Sequence, residues 1–247
     1  MGLFLGLSGI IGKTQEEVIA SLRRDLSRVG GGLVYAEIDA EYPNCCIIET
    51  ANGNTTVVYP GIHFQWEQSS AFISEDLKTA VFALHIYDGD FWAYVLYVDG
   101  MVVDQFNPIP DFMDSETSKE ERDRWKGNAE IIAKYVPGLN PQDINKYLVT
   151  WPLEDEEIVK AYPDDVYPQE DMQLLDFMRK LKLPYPLDDD FKSTGKTYRL
   201  WTKQLENQMP KTSNAPIEAQ SPKETTETTT GTVADASTKQ RPWWKFW

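Results

Sequence analysis

The chain has 247 residues, 41% hydrophobic and 12% aromatic, which is ample for a core in one large domain or two small ones. It carries 39 Asp and Glu against 24 Lys and Arg, a net charge of −15. That balance argues against non-specific binding to nucleic acid, whose phosphates demand cations, and favours basic partners.

The first stretch, MGLFLGLSGIIGK, lacks the basic start and small-residue cleavage site of a secretory leader, and reads as a buried strand. Gly6 stands where a myristoylation motif needs Ser or Thr. Thr14 to Glu17 (TQEE) forms a capping-box pattern, followed by Val18, Leu22, Leu26 and Val29 at helical spacing. Gly30, Gly31 and Gly32 stop that helix. A glycine-rich turn at a helix C-terminus is the wrong end for phosphate, and no dinucleotide or P-loop pattern is present.

Cys45 and Cys46 are the only cysteines. Neighbours in sequence rarely bridge, so a reducing, cytoplasmic setting is expected. They lie in an apolar strand with no activating pattern around them, which argues against a thiol nucleophile. The β-branched runs on either side of Asn52-Gly53 predict a hairpin. A short helix is expected over 70–79, with Phe72, Ile73 and Leu77 facing inward.

Residues 80–108, AVFALHIYDGDFWAYVLYVDGMVVDQFNP, carry Asp88-Gly89 and Asp99-Gly100, each with the chemistry of a two-residue hairpin turn. They predict a three-stranded antiparallel meander. Its central strand holds Phe91, Trp92, Tyr94, Leu96 and Tyr97 on both faces. One face should meet helices, and the other must be covered or remain as an exposed aromatic patch. His85, Asp88 and Asp90 are weak metal-ligand candidates, since an imidazole and two carboxylates fall close together. Turn chemistry explains the two aspartates better, since they flank a hairpin glycine.

Residues 113–206 read as helix-rich, with helices expected over 119–136, 141–148, 154–161 and 170–181. The carboxylate clusters at 153–157 and 187–191 lack the spacing of a calcium loop and read as solvated faces or helix starts. From 207 to 240 the composition is Thr, Ser, Glu, Lys, Pro and Ala, a disordered linker spanning roughly 32 Å. The chain closes on RPWWKFW. Residues 207–247 carry five basic and four acidic side chains, leaving 19 basic and 35 acidic over residues 1–206.

The expectation is therefore an α+β body over 1–206, with a mostly antiparallel sheet in 1–112 and a helical C-terminal portion in 113–206. A disordered linker (207–240) and an aromatic-basic motif (241–247) follow. No catalytic residue or cofactor is assigned, and an enzyme is disfavoured. The leading function is an acidic protein-binding module. Arg241, Trp243, Trp244, Lys245, Phe246 and Trp247 would be its tethered docking motif, because Trp and Arg dominate hot spots. The alternatives are a peripheral membrane adaptor anchored by the same residues, an immunity-type inhibitor of a basic toxin, and a metal-dependent hydrolase around His85.

Overall fold

A computed structural model describes residues 3–36, 45–61, 63, 65–112, 117–151, 159–188 and 192–203. Eight strands form one antiparallel sheet. In chain order they are β1 (Leu5–Ile10), β2 (Gly32–Tyr35), β3 (Cys45–Ala51), β4 (Asn54–Val58), β5 (Ala80–Tyr87), β6 (Phe91–Val98), β7 (Met101–Phe106) and β8 (Lys196–Trp201). Their order across the sheet is β2-β8-β3-β4-β1-β5-β6-β7. The helices are α1 (Gln15–Arg28), α2 (Trp66–Leu77), α3 (Lys119–Arg124), α4 (Ala129–Tyr135) and α5 (Gln173–Lys180). No helix of the described residues is long and apolar enough to cross a membrane.

β1 lies between β4 and β5, which accounts for its apolar character on both faces. The Thr14 capping box is formed: Thr14 Oγ1 accepts from the Glu17 amide, and the Glu17 carboxylate accepts from the Thr14 amide. Three hairpin turns place two successive residues at positive φ, namely Asn52-Gly53, Asp88-Gly89 and Asp99-Gly100. That geometry matches the right-handed twist of the strands each turn joins.

Residues alternate between the two faces, so the sheet carries a core on each. On one face, Ile10, Ile48, Val57, Val81, Tyr198 and Leu200 meet Val18, Leu22 and Leu26 of α1 and Ile73 of α2. On the other, Leu7, Phe82, Leu84, Trp92, Tyr94 and Leu96 meet Ile132 of α4 and Leu174, Phe177 and Met178 of α5. Phe177 is the hub of the second core, stacked on Tyr94 at 5.6 Å and lying 4.9 Å from Trp92. Such ring pairs add about 0.5–1.5 kcal/mol each beyond area burial.

The region 113–206 departs from its expected helix-rich character. β8 inserts between β2 and β3, pairing Tyr198 with Cys46 on one side and with Tyr35 on the other. The helix expected over 119–136 is split into α3 and α4. Gly127 sits at φ 67°, and its amide donates to the Gln105 carbonyl of β7. The described part of 141–148 holds a single 3-10 turn, Pro141–Asp143. Most of 154–161 lies outside the described residues. α5 falls within the expected 170–181, and α2 starts four residues before the expected Ser70.

With so little helix, carboxylates hold this part together. Buried Asp176 accepts from the amides of Val166 and Tyr167. Buried Asp165 accepts from the Tyr147 hydroxyl and the Tyr162 amide. Arg179 reaches Asp164, Asp165 and Asp176 together. These are backbone clasps, with acidic groups taking orphan amides that a longer helix would have satisfied internally.

Candidate protein-docking surface

The β5–β6 hairpin ends in an aromatic group. Strand register pairs Tyr87 with Phe91, on the side of the sheet that His85 faces. α2 begins at Trp66, whose indole lies so close to Gly6 that a Cβ there would be 2.9 Å from the ring. Phe4 packs edge-on to Tyr87 at 5.2 Å, Tyr87 stacks on Phe91 at 5.5 Å, and Phe112 meets Phe91 at 5.4 Å. Phe91 is buried, yet Phe4 is 49% exposed and Phe112 is 42% exposed.

Acid surrounds these rings. Asp88 and Asp90 sit on the exposed turn, and Asp171 approaches the same turn across Gly89. The Tyr87 phenol is pushed up by partial burial and then by the charges of Asp88 and Asp90. The Asp171 carboxyl is also pushed up, by burial first and by neighbouring Asp90 as well. A cation brought to this rim would relieve both. The Gly89 amide donates to the Leu3 carbonyl at 2.9 Å, tying the turn to the segment that carries Phe4.

The weak metal candidates do not converge. His85 is buried between Trp66 (5.8 Å) and Phe91 (6.2 Å), and burial lowers its pKa to about 3. Asp88 and Asp90 are at the hairpin tip, where Asp88 adopts φ 50°. Among the described residues, no group of three or more His, Cys, Asp or Glu is placed to hold a metal ion. The thiols are equally unsuited to nucleophilic work, because burial pushes Cys45 up and fully buried Cys46 far up.

One serine, histidine and aspartate do meet, on the α1–α2 side. Ser69 Oγ donates to Asp25 Oδ2 at 2.7 Å and contacts His63 Nε2 at 3.2 Å. The order is wrong for a nucleophilic triad, in which histidine stands between the other two and takes the serine proton. Here that proton already goes to the carboxylate, and Ser69 is buried. The carboxylate runs at 153–157 and, in large part, 187–191 lie outside the described residues, as do 207–240 and 241–247 with Arg241, Trp243, Trp244, Lys245, Phe246 and Trp247.

Sequence reasoning left Phe4 inside a buried strand and gave Phe112 no role. The available signal was Phe4, immediately before β1, where burial is incomplete; Phe112, six residues past the end of β7, carried none. Compared with known protein families, with curated proteins and with solved structures, the chain matches none.

Proposed function

We propose that this protein is a non-enzymatic, acidic protein-binding module. Its aromatic patch at Phe4, Tyr87, Phe91 and Phe112 receives a basic partner segment that carries an apolar or aromatic side chain. The observation that carries this reading is the pair of half-exposed phenylalanines set beside three aspartates. Exposed aromatics invite self-association, and a rim of like charge discourages it while admitting a basic partner. Carboxylates set beside half-exposed rings suit one kind of ligand, a cation joined to an apolar group. The three-stranded meander over 80–106 forms the frame of this surface, and the carboxylate-clasped portion after it packs behind. Residues 241–247 are a second, tethered docking element, and the compartment is the cytoplasm.

The test compares the full chain with a Phe4→Ser/Phe112→Ser variant for binding a labelled peptide that alternates lysine with phenylalanine. A matched peptide with glutamate in place of lysine serves as control. The lysine peptide is expected to bind the native chain alone. Equal binding by the variant, or by the glutamate peptide, overturns the reading.

A further inference from the structure

We infer that the cleft between α1 and α2 binds a small organic cation, a primary ammonium on a short aliphatic stem. The cleft has a volume of about 500 Å³, and its walls include Asp25, Arg28, His63, Ser69, Phe72 and Glu75. Its floor is a one-way chain of donors. Ser69 has one proton and gives it to Asp25 Oδ2. The Ser69 oxygen therefore accepts from His63 Nε2, which fixes the histidine tautomer. His63 is buried and stacked on Tyr59 at 5.3 Å, and its pKa is lowered to about 4 by burial, so the ring is a neutral donor. This relay holds the negative charge on Asp25.

The other oxygen of Asp25 is poorly served. Its nearest cationic group is Arg28 Nη1 at 3.9 Å, beyond hydrogen-bond range. Arg28 instead rests over the Phe72 ring at 4.9 Å and is largely exposed. Burial pushes the Asp25 carboxyl up, and Ser69 and Arg28 offset this only in part. Glu75 adds a second negative charge to the wall, so the cleft holds two carboxylates against one guanidinium. Val29 and Phe72 supply apolar surface beside them. An ammonium group meets the unserved oxygen, and its stem lies along that apolar wall. An anion is repelled. A divalent metal is poorly suited, since among the described residues no three His, Cys, Asp or Glu are placed to hold one.

The experiment is calorimetric titration of the full chain at low ionic strength with n-butylammonium, and with 1-butanol as the uncharged control. The ammonium is expected to bind, and the alcohol to bind roughly tenfold more weakly or not at all, the usual consequence of losing a charge-assisted hydrogen bond. Asp25→Asn should weaken the ammonium to the level of the alcohol. If that variant does not melt cooperatively, Arg28→Gln serves instead. It alters an exposed side chain and removes the competing guanidinium, so it should tighten ammonium binding. Absence of ammonium binding by the native chain, equal binding of alcohol and ammonium, or unchanged or weaker ammonium binding by Arg28→Gln overturns the inference.

Discussion

Gly31 lies directly against the backbone of Trp201, so that a Cβ on Gly31 would overlap the Trp201 carbonyl oxygen. The adjacent Gly32 faces the indole, with a Cβ position 2.5 Å from the ring. Gly30, at φ 68°, takes the left-handed conformation that ends α1, and the Gly31 amide closes the cap on the Leu26 carbonyl. Gly31→Ala is expected to destabilise by overpacking against β8, about 1–3 kcal/mol. Urea unfolding of this single variant checks the value. A neutral result would mean that β8 can shift away from β2 freely.

The indole Nε1 of Trp92 donates to Gln173 Oε1 at 3.3 Å, and both residues are fully buried. Trp92→Ala should cost about 3–5 kcal/mol, the usual range for a large aromatic deleted from a core. Trp92→Phe keeps most of the apolar volume but strands the glutamine carbonyl, adding a penalty of about 1–3 kcal/mol. Trp92→Phe/Gln173→Leu, which removes both polar partners, should recover part of that loss. Thermal melts of the three variants test the order. If the double variant is no better than Trp92→Phe, the polar contact contributes little.

Trp92 also shows what could be read from sequence. Period-two alternation, punctuated by Asp-Gly and Asn-Gly turns, marks strands wherever both neighbours are joined by short hairpins. β8 has no such neighbours. It pairs with β2 and β3, each more than 140 residues away in sequence, and its KTYRLW pattern is too short to stand out beside a helix-rich reading. The 119–136 helix failed for a related reason. Gly127 is tolerable in a helix by propensity, but a tertiary bond to Gln105 and close approach to the Tyr94 hydroxyl claim it. The triple glycine reads as a helix stop, and the close packing of two of its members against Trp201 has no local signature. The aromatic patch was legible only as a possibility, because whether a sheet face is covered depends on where α2 begins.

Acid should find the two histidines. Their folded pKa values, about 4 for His63 and about 3 for His85, lie below the ordinary 6.5. The unfolded chain therefore takes up protons first as pH falls. Each histidine's contribution is intact above 6.5 and is lost as pH drops towards the folded value. Asp25, Glu67 and Asp104 oppose this, since burial raises their carboxyls and proton uptake then favours the fold. A difference measurement isolates one imidazole. Between pH 7 and pH 5 the native chain should lose about 2 kcal/mol relative to His85→Gln. Parallel pH–stability curves for the two would show that His85 takes up a proton equally in both states.

The tail proposed as a docking element should depend on its rings more than its charges. Burying one Trp or Phe side chain in a partner's groove contributes on the order of 1.5–3 kcal/mol before the costs of association. An exposed ion pair from Arg241 or Lys245 contributes about 0–1 kcal/mol and is screened by salt. Changing Trp243, Trp244 and Trp247 together to Ala is therefore expected to abolish binding of residues 241–247 to a protein partner. Changing Arg241 and Lys245 to Gln should weaken it modestly, and less at high salt. The measurement is binding of both variants to the partner recovered with the native chain, at low and high ionic strength, beside sedimentation with anionic and neutral vesicles. Loss of binding in the charge variant alone would make the tail an electrostatic tether. Sedimentation with anionic vesicles that requires the three tryptophans would replace the protein groove by a membrane surface.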